Sequence, residues 1–349
     1  MAAIFQRFAG NPIVRPEDVR PSREDLVVAC VLNPGAFRFQ GRVGLLMRVA
    51  ERPVQEDGWV STPVIEPEGA GGLRILRIRR DDPDLNCADP RGFTYKGRYY
   101  LTTLSHLRLA WSEDGVHFTA DAAPAVIGAG SHESYGVEDC RVELLDGGFY
   151  LTYTAVSDLG VGVGLISTQD WKWFVRHGMI FPPHNKDCAL FPERVGGRYC
   201  ALHRPSGLGL GGSFMWLSRS PDLVHWGDHR CLLTTRPGQW DGERIGAGAA
   251  PIRTAAGWLA IYHGADAASR YCLGALLLDR LDPARVLARS SAPLFEPVAD
   301  YERKGFFGDV VFTNGHVLDG DTLTIYYGAS DSVICGARAS VADILRSLA

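Results

Sequence analysis

The chain is poor in nearly every signal that would send it to a membrane, a nucleic acid or a metal. No run of 18 apolar residues occurs, so no helical membrane span is expected. Residues 1–11 lack the basic-then-apolar pattern of a secretory signal. Lys and Arg (36) do not exceed Asp and Glu (40), and the net charge is −4, so no basic surplus draws in nucleic acid or an anionic membrane. The eight cysteines (30, 87, 140, 188, 200, 231, 272 and 335) include no C-x-x-C pair, which argues against a zinc knuckle or a thioredoxin-like motif. Free thiols in a reducing cytoplasm are the plain expectation. No H-x-E, H-E-x-x-H or acidic-loop pattern points to a metal. The glycine-rich run 207–212 is not followed by Lys-Ser or Lys-Thr, and reads as a hairpin loop or lid rather than a phosphate loop. Helical periodicity is scarce, and only Ser340–Leu348 reads as a helix, a short terminal cap. No Ser-, Pro- or charge-rich linker divides the chain, so one domain over 1–349 is expected.

What is present is a repeat. A glycine-containing turn leads into an aromatic-rich strand, and a second strand follows that often ends in Ser-x-Asp and then an aromatic. The copies are KGRYYLTTL with LAWSEDGVHF, DGGFYLTYTA with LISTQDWKWF, GGRYCALHRP with MWLSRSPDLVHW, AAGWLAIYHGA with LGALLLDRLDP, and DGDTLTIYYGA with ICGARASVADIL. Gly97, Gly147, Gly197, Gly257 and Gly320 mark the turns. Alternation and the β-branched and aromatic content indicate strands, and the turns indicate hairpins. Small antiparallel sheets repeated at this period predict an all-β propeller. A looser sixth copy, FQGRVGLLMRVA (39–50), leaves five or six blades open. In such a ring, polar residues at equivalent strand ends converge on one axis although they are far apart in sequence.

Polar residues are dense in LNPGAF (32–37), LMRVAER (46–52), GVEDCR (136–141), NKDCALFPE (185–193), LHRP (202–205), WDGERIGAG (240–248), YHG (262–264) and YYGASD (326–331). Asp139 reads either as a general acid in an enclosed pocket or as a strand-edge carboxylate paired with Arg141, and Glu138 competes with it for the first role. Lys186, Arg204, Arg244 and His263 come from successive repeats. They read either as one oxyanion site, in which arginine forks grip a phosphate, or as separate pairs such as Lys186–Asp187 and Arg244–Asp241. Four buried cations together need an anion, which favours the first. Glu193 and Glu243 are further carboxylates.

These segments, with EDVRPSREDL (17–26), SHLRLAWSEDG (105–115), RYCLGALLLD (270–279) and YERKGFFGDVVF (301–312), resemble glycoside hydrolase family 130, the β-mannoside phosphorylases and related mannosidases. The resemblance spans nearly the whole chain and looks most like the β-1,2-mannobiose phosphorylase branch. It implies a five-bladed propeller, with the sixth repeat copy pairing within a terminal blade. It implies Asp139 as proton donor, acting through a sugar hydroxyl, although Cys140 stands where the family has proline. It implies Lys186, Arg204, Arg244 and His263 as phosphate ligands and Asn33, Arg48 and Asp331 as sugar contacts. The expected reaction is inverting phosphorolysis of a β-mannoside to α-mannose 1-phosphate, with phosphate as co-substrate and neither cofactor nor metal. The partners are then a mannose-containing oligosaccharide and phosphate, and a homo-oligomer is left open. The alternatives are an inverting β-1,2-mannosidase, with Glu193 or Glu243 activating water, and a non-catalytic sugar-binding propeller. An inverting hydrolase needs that base; a phosphorylase needs cations instead, because its nucleophile is already an anion. Beside Glu138, a proton on Asp139 is expected to be favoured by like charge, with Arg141 turned toward the phosphate or another carboxylate.

Overall fold

The computed structural model describes residues 3–65, 72–89, 92–207 and 210–348. Strand takes 55% of the chain and helix 5%, which settles the class as all-β. Five antiparallel sheets of four or five strands carry most of it. In chain order, sheet I holds Leu26–Phe39, Arg42–Pro53, Leu104–Ser112 and Thr119–Ala120. Sheet II holds Val137–Leu145, Gly148–Ser157, Gly160–Thr168 and Val175–Phe181. Sheet III holds Asn185–Leu190, Tyr199–Pro205, Met215–Ser220 and Gly227–Leu233. Sheet IV holds Arg244–Ala247, Trp258–Ala265, Tyr271–Leu278 and Val286–Arg289, with Ile252–Arg253 added on one strand. Sheet V holds Val311–Asp319, Thr322–Ala329 and Val333–Ser340, and is completed by Gln6–Arg7 from the other end of the chain.

The hydrophobic cores lie between neighbouring sheets, because each sheet alternates side chains to two faces and must bury both. Phe37, Leu46 and Leu107 of sheet I meet Val142, Leu151 and Ile166 of sheet II. Val163 and Leu165 meet Leu190 and Ala201 between II and III. Leu202 and Leu217 meet Ile245 and Leu276 between III and IV. Ile261 and Leu273 meet Val311 and Ile325 between IV and V. Val317 and Tyr326 return to Val31 and Leu45 of sheet I.

The repeat seen in the sequence has a structural cause in two kinds of turn. Gly147, Gly197 and Gly320 take left-handed φ of 84°, 76° and 57° at the hairpin, a conformation that costs glycine nothing. At the far end, Ser112, Thr168 and Ser220 accept the backbone N–H three residues on, at 2.9, 3.0 and 2.8 Å. Asp114, Asp170 and Asp222 each accept two further backbone N–H groups. The Ser/Thr-x-Asp signature is thus a self-sufficient loop closure.

One copy of the repeat departs from the sequence expectation. Gly97 turns not in sheet I but in a separate three-stranded sheet of Leu85–Asp89, Gly92–Tyr95 and Arg98–Leu101. That sheet and the hairpin Trp59–Ile65/Leu73–Arg79 are inserted between two strands of sheet I. The looser copy at 39–50 supplies the hairpin of sheet I, through Gly41 at φ 82°. A glycine turn between aromatic strands looks alike in both places, and only long-range pairing distinguishes them. The terminal helix is Val341–Ser347, with the Ser340 hydroxyl capping Asp343 N–H at 3.1 Å. The glycine-rich run 207–212 lies partly outside the described residues. Among the described residues no helix is long and apolar enough to cross a membrane.

Sheet V joins both ends of the chain, and a buried glutamate secures the junction. Glu302 is fully buried and accepts from Arg7 Nε at 2.7 Å and Nη2 at 2.9 Å, from Tyr327 Oη at 2.8 Å, and from the Val298 and Ala299 N–H groups at 2.8 and 2.9 Å. Removing Glu302 leaves the partly buried Arg7 guanidinium, the Tyr327 hydroxyl and two backbone N–H groups without their acceptor. Glu302→Ala is predicted to lower unfolding stability by about 3–5 kcal/mol, read as a lower urea midpoint at unchanged slope. A midpoint equal to wild type would contradict this account of the closure.

Candidate active site

Three sheets begin with the same backbone irregularity. The pairing register slips between Leu32 and Gly35 in sheet I, between Glu138 and Arg141 in sheet II, and between Lys186 and Ala189 in sheet III. At each slip one polar residue takes a left-handed backbone: Asn33 (φ 45°), Asp139 (φ 49°) and Asp187 (φ 54°). Asn and Asp tolerate that region better than other non-glycine residues, so the bulges fall on them. A bulge re-aims a side chain out of the pleat. Asp331 takes the same conformation (φ 49°) in a turn of sheet V. Glycine on the neighbouring sheet makes the room: a Cβ at Gly328 would lie 2.2 Å from Asn33 Oδ1, and one at Gly246 would lie 2.3 Å from Asp187 Oδ2.

These side chains meet in one cavity of about 280 Å³. Its walls include Asn33, Arg48, Glu138, Asp139, Lys186, Asp187, Arg204, Arg244, Tyr271, Phe312 and Asp331, so every sheet contributes. Of the eight residues singled out from the sequence, seven line it. His263 does not. Its side chain is fully buried, and its Nε2 lies 3.3 Å from Asp187 Oδ2, with the ring 4.2 Å from that of Phe312. The sheet register sets His263 opposite Gly246, so the imidazole lies over the inner strand, behind the wall. The alternative pairs weighed for the cations are not formed. Arg244 donates to Tyr271 Oη at 3.0 Å, and Asp241 is held by Arg236, Arg289 and Tyr262.

The acidic side of the cavity is organised by Arg48. Its Nη2 meets Glu138 at 2.7 Å, its Nη1 meets Asp139 at 3.1 Å, and its Nε donates to Ser105 Oγ at 3.0 Å. Asn33 Nδ2 donates to the same Asp139 oxygen at 2.9 Å. Burial pushes the Asp139 carboxyl up, but Arg48, Lys186, Arg141 and the Asn33 hydrogen bond outweigh burial and hold it below the ordinary range. The expectation that Glu138 would favour a proton on Asp139 is therefore corrected, because Arg48 straddles the two carboxylates. The carboxyl displaced upward is Asp331, to about 6, by burial and by the nearby Asp139 and Glu138 charges against the opposing pull of Arg48.

The basic side is organised by Arg141 and Asp187. Arg141 is turned away from the Asp139 carboxylate, as expected; it bonds the Asp139 carbonyl at 2.9 Å and Asp187 Oδ1 at 3.2 Å. Asp187 Oδ2 accepts from Arg204 Nε at 2.7 Å. Asp187 and Tyr271 were not singled out from the sequence as site residues. The available signals were the acidic residue closing NKD, parallel to that inside GVEDCR, and the tyrosine within RYCLG. Glu193 and Glu243 do not line the cavity, and Glu193 pairs with Arg253 at 2.9 Å on the surface. Among the described residues no cluster of three or more His, Cys, Asp or Glu side chains is disposed to hold a metal. All eight cysteines are free.

A polar cavity lined by side chains of all five sheets, with carboxylates and cations facing one space, suits a small polar substrate and the chemistry of an enzyme. Comparison identifies which kind. A family model described as β-1,4-mannooligosaccharide phosphorylase matches residues 93–349. A β-1,2-mannobiose phosphorylase of Listeria innocua is 42% identical over 346 residues, 98% of either chain. A 1,2-β-oligomannan phosphorylase of Thermoanaerobacter sp. is 37% identical over 70% of this chain and 82% of its own. The solved Listeria innocua β-1,2-mannobiose phosphorylase in complex with β-1,2-mannobiose superposes with a TM-score of 0.95 over 99% of both chains, at 43% identity. The chain belongs to glycoside hydrolase family 130.

The shifted Asp331 has a testable consequence. Its folded pKa lies above its unfolded one, so the folded state holds this proton more firmly, and ionisation destabilises it as pH rises toward and past about 6. Asp331→Asn has no charge to acquire. The melting temperature of Asp331→Asn minus that of wild type is predicted to increase from about pH 4 to a little above pH 6 and then level off. A difference independent of pH would rule out the raised pKa.

Proposed function

We propose that this protein is an inverting β-1,2-mannobiose phosphorylase, built as one five-bladed propeller whose blades are sheets I to V. The succession of inter-sheet cores, returning from sheet V to sheet I, supports the ring, and free thiols fit a reducing cytoplasm. The observation that carries the function is one cavity holding Asp139 beside Lys186, Arg204 and Arg244, in a chain matching a β-1,2-mannobiose phosphorylase along its length.

In this reading Asn33, Arg48 and Asp331 hold the non-reducing mannose. Lys186 and the Arg204 and Arg244 guanidinium groups hold phosphate in line with its anomeric carbon. His263 acts from behind, through Asp187. Phosphate oxygen attacks as the glycosidic bond breaks, giving α-mannose 1-phosphate and inverting the centre. The leaving sugar oxygen takes a proton from Asp139 through a sugar hydroxyl, and the proton that hydrogen phosphate brings restores the balance. Because Arg48 and Asn33 favour the charged form of Asp139, a sugar must relieve its contact with Arg48 before it can carry that proton. No cofactor enters the chemistry. Hydrolysis is disfavoured because neither candidate base, Glu193 nor Glu243, reaches the cavity. A non-catalytic role is disfavoured because Asp139 is 5% exposed and shares a cavity with the cations.

Incubation with β-1,2- and β-1,4-mannobiose, with and without phosphate, is predicted to yield mannose 1-phosphate from the β-1,2 isomer only when phosphate is present. Free mannose at equal rates without phosphate would make the protein a hydrolase. Asp139→Asn is predicted to retain sugar binding and lose about 10²-fold or more in turnover, with Glu138→Gln losing less; near-normal turnover of Asp139→Asn would remove it from the mechanism. Arg204→Ala is predicted to raise the apparent phosphate requirement sharply, by the ~1.5–3 kcal/mol of a charge-assisted pair.

A further inference from the structure

Arg204, Arg141 and His263 surround one carboxylate on the basic side. Asp187 is fully buried, and its two oxygens meet Arg204 Nε at 2.7 Å, Arg141 Nη2 at 3.2 Å and His263 Nε2 at 3.3 Å. Burial pushes its carboxyl up, but Arg204, His263 and Arg141 hold it well below the ordinary range, so it is an anion. The two arginines it joins are used differently. Arg141 bonds the carbonyls of Gly248, Asp139 and Ala247 as well, and does not line the cavity. Arg204 lines the cavity, and its hydrogen bond among the described residues is the one from Nε to Asp187. A guanidinium gripped at Nε has its plane fixed, and its two terminal nitrogens are left as a fork for a second anion.

From this geometry we infer that Asp187 is a positioning residue with two opposed effects on the phosphate site: it holds the Arg204 fork toward the cavity, and its own fixed charge weakens oxyanion binding so that the sugar phosphate product can leave. The inference rests on the phosphorylase reading. A residue that merely supported the fold would weaken binding and turnover together when altered. A fixed anion beside an anion site does the opposite: its removal tightens ground-state binding while the misaligned fork slows the reaction.

The test uses Asp187→Asn, which removes the charge and leaves one acceptor oxygen where Arg204, Arg141 and His263 now share two, so the grip on Arg204 is lost or loosened. Calorimetric titration with inorganic phosphate, without sugar, is expected to give a dissociation constant roughly 3-fold or more below wild type, while kcat with β-1,2-mannobiose falls ~10-fold or more. An unchanged kcat, or weaker phosphate binding accompanying a lower kcat, overturns the inference. Arg204→Lys is the second variant, because it keeps the cavity charge but has no Nε to be gripped. Its kcat is expected to fall by a similar factor, and a wild-type kcat would overturn the orienting role even if Asp187→Asn failed to fold. Wild type in the same assay separates the two ideas. If its turnover needs no phosphate, the phosphorylase reading falls and this inference with it; if it needs phosphate and Asp187→Asn is indifferent, only the inference falls.

Discussion

The arrangement depends most on one buried arginine. Arg141, 4% exposed, donates through Nε to Gly248 O, through Nη1 to Asp139 O, and through Nη2 to Ala247 O and Asp187 Oδ1. Those acceptors belong to sheet II, sheet III and the start of sheet IV. Backbone carbonyls exposed by a register slip would otherwise be buried without partners, a cost of about 1–3 kcal/mol each. The arginine therefore makes the bulge at Asp139 affordable and ties three sheets together beneath the cavity. Its charge is answered by Asp187, so the same group that satisfies the backbone also anchors the carboxylate that holds Arg204.

The fold was legible where sequence signals are local. Glycine hairpins and Ser/Thr-x-Asp closures act within four or five residues, so four of the five hairpin turns and the helical cap at Ser340 could be read directly. The inserted segment between Pro53 and Leu104 could not. Its strands carry the same turn chemistry as the main sheets, and nothing in KGRYYLTTL states that Arg98–Leu101 pairs with Gly92–Tyr95 while Leu104–Ser112 pairs with Arg42–Pro53. Pairing over that distance depends on which faces find apolar partners, and Phe93, Val60 and Ile78 form a small core of their own.

The site was legible by charge and type, less so by depth. Polar residues beside apolar strands marked Asn33, Arg48, Asp139, Lys186, Arg204, Arg244 and Asp331, and all line one cavity. His263 carried the same signal, but alternation along Trp258–Ala265 and the small residue opposite it turn the ring into the packing. Asp187 was hidden by its own neighbour. Adjacent Lys and Asp suggest a surface pair, whereas the left-handed backbone at Asp187 separates the two directions and lets the carboxylate reach Arg141 and Arg204 instead. The protonation state of Asp139 was beyond the sequence as well, since it depends on Arg48 bridging two carboxylates from another sheet.

Net charge does not explain how such a cavity would accept a phosphate dianion. Four basic groups line it, Arg48, Lys186, Arg204 and Arg244, against four acidic ones, Glu138, Asp139, Asp187 and Asp331, so the formal balance of the wall is neutral. What matters is segregation. Arg48 is committed to Glu138 and Asp139, and Arg204 shares Asp187 with Arg141, which stands behind the wall. Lys186 and Arg244 have no carboxylate partner among the described residues, Arg244 being steadied only by the Tyr271 hydroxyl. Local field, not total charge, decides where an anion rests in a low-dielectric cavity. The cavity thus has a half in which Arg48 is paired with carboxylates and a half in which Lys186 and Arg244 have no carboxylate partner among the described residues, and the proposed displacement needs that division between the leaving group's proton source and the nucleophile.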